Sequence, residues 1–294
     1  MGIPSSGLAS VVKQKGDFMS NGFSAIKKKL FSRKILRAII SITTFLVLWE
    51  IGSRSQHWLG FRLPWIGSVP PPSAVMATWA SLLSSLSYWQ SWFLTFTRVL
   101  WGFLAAMVCG ILFGLFLAVN RTAYGLFFPI FELLRPIPPL AWVPASIIFW
   151  PTQELSIAFV IFLGGFYAIV TNVLEGAKSI DARYLQSAQS MGASQWNIFR
   201  RIILPGTLPS IAVGSVVGIG LTWNVVVAAE MISGGGSNIS GEGGGLGFFI
   251  WNSYVNGSYE QIVVGMISIG IAGYISSAVL RKIWELSTPW LRLH

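Results

Sequence analysis

Charge is what this sequence has least of. Of its 294 residues, 20 are Lys or Arg and 10 are Asp or Glu, against 53% hydrophobic residues. A water-soluble domain carries roughly a quarter charged residues, so this scarcity excludes an ordinary soluble fold and points to the bilayer as solvent. Cysteine is nearly absent too: the single Cys109 lies inside an apolar run, which rules out an intrachain disulfide and argues against redox chemistry. The two histidines, His57 and His294, both fall outside the apolar runs, so most zinc, haem and Ser-His catalytic arrangements have nothing to build on. A phosphate-cradling loop is missing as well. The Lys178-Ser179 pair in EGAKS lacks the glycine spacing, so any ATP hydrolysis belongs to another chain. With no histidine inside the apolar runs and no clustered carboxylates, a membrane-embedded enzyme is a weak reading.

What is present are long stretches without charge. Residues 99–120, 136–153, 155–174, 202–229 and 261–280 hold no ionisable Lys, Arg, Asp or Glu. Each is close to or above the ~18–20 residues that cross hydrocarbon. A sixth candidate runs from about 35 to 53, with Arg37 and Glu50 snorkelling at its two interfaces. The polar stretch before the first of these lacks a small-residue cleavage site and is not expected to be a signal peptide. The six crossings place Lys13, Lys15, Lys27, Lys28, Lys29, Arg33, Lys34 and Arg37 on one side. Arg121, Lys178, Arg183, Arg200, Arg201, Arg281, Lys282 and Arg292 fall on that same side. Arg54 and Arg62 fall on the other. This bias puts both termini in the cytoplasm, and it reads the formal charge of +10 as membrane orientation rather than nucleic-acid binding.

The same bias decides how to read TAYGLFFPIFELLRPIPPLAWVPASIIFWPTQ, residues 122–153. Two crossings there would carry Arg183, Arg200 and Arg201 to the wrong side, so one crossing is expected, broken at Pro136, Pro138, Pro139 and Pro144. Broken backbone at that depth is tolerated only against protein or a water-filled cavity, so this segment is expected to line something. On the far side, Ser73 after three prolines is expected to N-cap a short interfacial helix. Residues 233–247 form a glycine-rich loop. Trp49, Trp89, Trp92, Trp150 and Trp251 cluster near the predicted interfaces. The organisation expected is a basic arm at 1–34, a six-span all-α domain at 35–284 and a tail at 285–294.

The charges that remain inside or at the edge of spans are costly enough to be candidates for function: Arg98, Glu132, Arg135 and Glu230. Arg135 precedes the Pro136-Ile137-Pro138-Pro139 break, where a guanidinium beside freed backbone groups can hold an anion. Glu230 lies at the far end of its span. The candidate pathway set is Arg135, Pro136, Pro138, Trp142 and Glu230. Trp142, Trp223 and Phe249 read more as packing than as solute contacts.

Between two spans sits a polar hairpin, about 179–206. Asp181 is expected to cap a helix in which Tyr184, Leu185, Ala188 and Met191 form one stripe. Gly192 ends it, and Ser194 caps a second arm with Trp196, Phe199, Ile202 and Ile203 on its apolar face. Pro205 and Pro209 mark the start of the next span. Such a hairpin is either a connector or a surface for a partner's groove.

The spacing Gly192, nine residues, Ile202-x-Leu204-Pro205 resembles the EAA loop of permeases in binding-protein-dependent ABC importers. By position its Glu-Ala-Ala falls on Gln186, Ser187 and Ala188, so the chain departs at the first two places. VPPPSAV at 69–75, TRVLWGF at 97–103, LLRPIPPLAWVP at 133–144 and VVVAAEMI at 225–232 are similar to the branch that imports nitrate, sulfonate, taurine and bicarbonate. The resemblance implies a type I importer permease in the bacterial inner membrane. It implies a second permease copy as a homodimer, two cytoplasmic ATPases carrying ATP and Mg, and a periplasmic substrate-binding protein. No cofactor or metal is expected on this chain. ATPase coupling would fall on Gln186, Ser187, Ala188, Gly192, Ala193, Ile202, Leu204 and Pro205. The alternative is a secondary transporter or channel protomer, which calls for ionisable relays or inverted repeats; the sequence shows neither.

Overall fold

The computed structural model describes residues 33–55, 60, 64, 66–232 and 244–288, and the regular elements among them are all helical. Nearly all of the basic arm and most of the glycine-rich loop lie outside the described residues. The chain divides into two compact units, residues 1–74 and 75–294.

In the first unit α1 (Arg33–Ser53) carries no charge between Arg37 and Glu50. Ile39, Ile42, Phe45 and Leu48 are all exposed, as suits a helix whose solvent is lipid. A 3₁₀ turn, Ile66–Ser68, follows. Ser73 does not cap the next helix. That helix, α2 (Pro72–Leu82), starts one residue earlier, with Pro72 in the first position, where no N–H is needed. The orphan amide of Ser73 is instead satisfied from α1: its N–H donates to Glu50 Oε2 at 3.1 Å and its hydroxyl to Oε1 at 2.9 Å. Arg54 closes the cluster, its Nε 2.6 Å from Glu50. A carboxylate supplied by another helix does the work of the cap.

The second unit is built on α3 (Leu86–Val119), α6 (Gln153–Lys178) and α9 (Leu204–Ile232). Lipid offers no hydrophobic drive between helices, so close approach must come from small residues. A methyl group on Gly102 would lie 2.5 Å from Ile161 Cγ2, one on Gly114 2.8 Å from Val173 Cγ1, and one on Gly176 2.3 Å from Ser210 Cβ. These glycines let α3 and α9 lie flush on α6. Phe103, Ile161, Ile169, Ile211 and Val226 fill the seam. α10 (Leu246–Val255) and α11 (Tyr259–Ser287) pack on its flank.

The proline-rich stretch forms one sharply bent helix pair. α4 (Arg121–Leu134) begins beside the C-terminal end of α6, where Ala123 packs with Leu174 and Lys178 Nζ donates to Tyr124 Oη at 2.8 Å. After a 90° bend come a 3₁₀ turn, Pro139–Trp142, and α5 (Val143–Phe149). α5 ends beside the opposite end of α6, where Ser156 Oγ donates to the Ser146 carbonyl at 2.9 Å. The pair therefore runs the length of α6 in a single pass. Pro136, Pro138 and Pro139 remove three chances of a helical hydrogen bond within four residues, and Pro139 follows an extended Pro138 (φ -56°, ψ 135°), whereas Arg135 before Pro136 is still helical. Pro144 does not take part in the break: it sits in the first turn of α5, and α4 also continues past Pro129.

Candidate functional site

The hairpin is built from caps. α7 (Ala182–Ser190) is opened by Asp181, whose carboxylate accepts the Arg183 N–H at 2.9 Å. The Arg183 guanidinium returns to the same carboxylate at 2.9 and 2.6 Å. That hydrogen bond holds the Asp181 carboxyl below its ordinary range, so the cap is present at neutral pH and is lost only as the pH falls through that lowered value. The helix ends where Ala193 N–H reaches back to the Ala188 carbonyl and Gly192 N–H to Gln189. This double closure demands a left-handed residue, and Gly192 supplies it at φ +77°. Ser194 then accepts the Asn197 N–H at 3.3 Å and starts α8 (Gln195–Ile198).

The second arm does not end at Pro205. A π turn, Phe199–Ile203, with Leu204 N–H donating to the Phe199 carbonyl, carries α8 into α9 without a gap. Pro205 lacks the amide an α-turn would need there, and the wider turn absorbs the missing bond. Ala188 and Ile198 point into the protein, but Tyr184, Met191 and Trp196 are 67%, 81% and 66% exposed. The two stripes are thus divided: Ala188 is buried and Leu185, Phe199, Ile202 and Ile203 are half-buried, while Tyr184, Met191 and Trp196 present large apolar side chains outward. Gln186, Ser187, Gly192 and Pro205 are exposed with them, while Ala193, Ile202 and Leu204 are half-buried. Behind the hairpin lies a cavity of about 730 Å³, lined by Leu185, Gln189 and Trp196 and by residues 118–121.

Arg135 caps the C-terminal end of α4 at the proline break, 3.6 Å from Glu132. It lines a cavity of about 360 Å³ together with Pro139, Tyr167, Thr171, Asn172 and Asn224. Pro136 and Pro138 are exposed in the break, and Trp142 is half-buried with its indole N–H unpartnered among the described residues.

Glu230 is elsewhere and wholly buried. Arg98 Nη1 donates to its Oε1 at 2.9 Å, Thr95 Oγ1 to both its oxygens at 2.9 and 3.0 Å, and Gly247 N–H to Oε2 at 2.8 Å. Arg98 Nε also reaches Glu154 at 2.8 Å, and a second contact makes that pair bidentate. Leu246 N–H donates to Thr95 Oγ1 at 2.7 Å. One ion network thus ties α3, α6 and α9 and caps the start of α10.

Residues 110–292 match the family described as the binding-protein-dependent transport system inner membrane component. The chain belongs to this family. The permease is 31% identical to the nitrate import permease protein NrtB of Synechocystis sp. over 268 residues, 88% of this chain and 92% of that one. It is 29% identical to the taurine transport system permease protein TauC of Escherichia coli over 266 residues, 88% of this chain and 91% of that one. Among solved structures it is similar to a bacterial ABC transporter involved in the import of the acidic polysaccharide alginate. There the TM-score is 0.57 at 17% identity, over 89% of this chain and 98% of that one, a likeness of fold.

All eight hairpin residues singled out from the sequence fall on one surface feature of the permease, inside the matched region. The five pathway residues do not come together: Arg135 lines the cavity, Pro136, Pro138 and Trp142 do not, and Glu230 belongs to the ion network. Sequence reasoning missed Tyr167, Asn224, Glu154 and Thr95. The available signal was polar side chains recurring at helical spacing inside uncharged spans.

Proposed function

We propose that this permease subunit moves a small oxyanion, of the nitrate, bicarbonate, sulfonate or taurine class, into the bacterial cytoplasm. Movement occurs by alternating access, driven by ATP hydrolysed on partner subunits that seat on the hairpin. The observation that carries the coupling is the exposure of Tyr184, Met191 and Trp196 on a hairpin whose backbone is fixed at every corner. A capped amphipathic helix that keeps its apolar side chains in water matches a partner's groove. A second copy of the permease would complete the path at the proline break, and a periplasmic binding protein would deliver the solute. Both termini face the cytoplasm. In support, Arg121, Lys178, Arg183, Arg200 and Arg201 gather at the hairpin end of the bundle, and Arg281 lines a groove with Pro209 near that same end of α9.

The test uses the full chain with its ATPase. Valine at Gly192 must adopt a left-handed backbone, costing about 1–2 kcal/mol, a factor of roughly 5–30 in any step that needs the native hairpin. Gly192→Val should therefore lower solute-stimulated ATP hydrolysis about tenfold with membrane insertion unchanged. In a Cys109→Ser background, Ser194→Cys should react with impermeant maleimide only after the membrane is opened, and bound ATPase should shield it. Wild-type hydrolysis in the valine variant, or labelling from outside, would sink the coupling reading. Uptake that persists without ATP would restore the secondary-transporter alternative.

A further inference from the structure

We propose that the cavity at the proline break is an oxyanion station within the permease, in which Asn224 and Tyr167 act with Arg135 to select the solute. The proposal rests on the pathway reading above and gives that path a chemistry of its own. Five polar or charged side chains line the cavity, and none is a carboxylate. They divide into two groups. Thr171 Oγ1 donates to the Tyr167 carbonyl at 2.8 Å and Asn172 Nδ2 to the Ala168 carbonyl at 2.8 Å, the way polar side chains satisfy themselves on their own helix in an apolar setting. The Asn224 amide and the Tyr167 hydroxyl make no such bond among the described residues. Arg135 has Glu132 as its ion-pair partner, at 3.6 Å, beyond hydrogen-bond length.

Uncommitted polar groups at membrane depth are expensive unless water or a ligand reaches them. Here two of them, an amide and a hydroxyl, line one cavity with a guanidinium fork held by a 3.6 Å ion pair, and each of the three can donate. Acceptor-rich, negatively charged and compact is the description of their ligand. A guanidinium matches two oxygens of a planar or tetrahedral oxyanion, and the neutral donors take the others. Leu163, Leu221 and Val225 make the rest of the wall apolar, which suits an organic sulfonate and gives a hydrated metal cation nothing to hold. Asn224 and Leu221 are exposed, one turn apart on the same face of α9, so the station is open on the side where a second permease would stand.

The probe is a pair of thiol reagents differing in charge: 2-sulfonatoethyl methanethiosulfonate, itself an alkyl sulfonate, and its 2-aminoethyl counterpart. They are applied to Asn224→Cys in a Cys109→Ser chain, in membranes carrying the assembled transporter. Each rate is normalised to the same reagent's rate with a free thiol in solution, which cancels intrinsic reactivity, and the ratio of the two reagents at one cysteine cancels that cysteine's own ionisation. The sulfonate reagent should react on the order of tenfold faster than the amine, and Arg135→Gln should abolish the preference. Leu221→Cys, on the same wall, should repeat the result and guards against a fold defect peculiar to position 224. If both reagents react equally whether or not Arg135 is present, the path is wet but is no oxyanion station, and the proposal falls alone. If neither reagent reacts at either position, the pathway reading falls with it.

Discussion

Replacing Arg98 by alanine is expected to cost the permease about 3–5 kcal/mol, the penalty for leaving a buried carboxylate without its cation. The side chain of Glu230 is 0% exposed and that of Arg98 5%. Neither charge can turn to water when its partner is removed. The damage should also spread, because the Glu230 carboxylate and the Thr95 hydroxyl receive the first amides of α10. Glu154 is different. It binds the same guanidinium, yet its side chain is 55% exposed, so Glu154→Gln should cost no more than about 1 kcal/mol. The diagnostic case is the double variant Arg98→Met/Glu230→Met. Removing both charges removes the desolvation cost together with the attraction, so the double should be milder than Arg98→Ala alone. Melting of the solubilised protein, followed by fluorescence-detected size exclusion, should fall by roughly 10 °C in Arg98→Ala. A double variant less stable than the single would mean that the network stabilises through its ion pair rather than merely balancing two buried charges.

That network also marks the boundary of what the sequence reveals. Hydropathy locates the five long apolar helices and the bent pair, because crossing a membrane is a local demand on composition. The hairpin corners at Asp181, Gly192 and Ser194 are legible for a similar reason, since capping involves residues within a few positions of one another. Pairings across the bundle are not local. Arg98 stands 56 residues from Glu154 and 132 from Glu230, and periodicity says nothing about which helices will bring them together. Ser73 fails as an expected cap on the same account: the acceptor for its amide comes from Glu50, 23 residues back. The π turn before Pro205 was hidden because proline announces a missing hydrogen bond without saying how the backbone will absorb it. Asn224 and Tyr167 are visible as polar interruptions in apolar spans, but only the packing of α6 against α9 puts both beside Arg135.

Arg135→Lys is expected to lower solute uptake about tenfold, and Arg135→Gln further, while the level of assembled permease stays close to wild type. A charge-assisted hydrogen bond contributes about 1.5–3 kcal/mol, which is roughly 10–100-fold in affinity for the passing anion. Lysine keeps the positive charge but loses the planar fork, so it should keep part of the electrostatic attraction and lose two-point recognition. Glutamine loses both. Assembly should tolerate either change because the Arg135 side chain is 45% exposed and Glu132, at 3.6 Å and 51% exposed, is a loose partner. Glu132→Gln then provides the sign test. If Glu132 competes with the anion for the guanidinium, removing its charge should hold uptake or raise it; if the ion pair is what shapes the break, uptake should fall as it does in Arg135→Gln. Initial uptake rates on membranes matched for subunit level decide the matter, with basal ATP hydrolysis measured on the same samples to separate translocation from coupling. Unchanged uptake in both arginine variants would return Arg135 to a structural role at the bend.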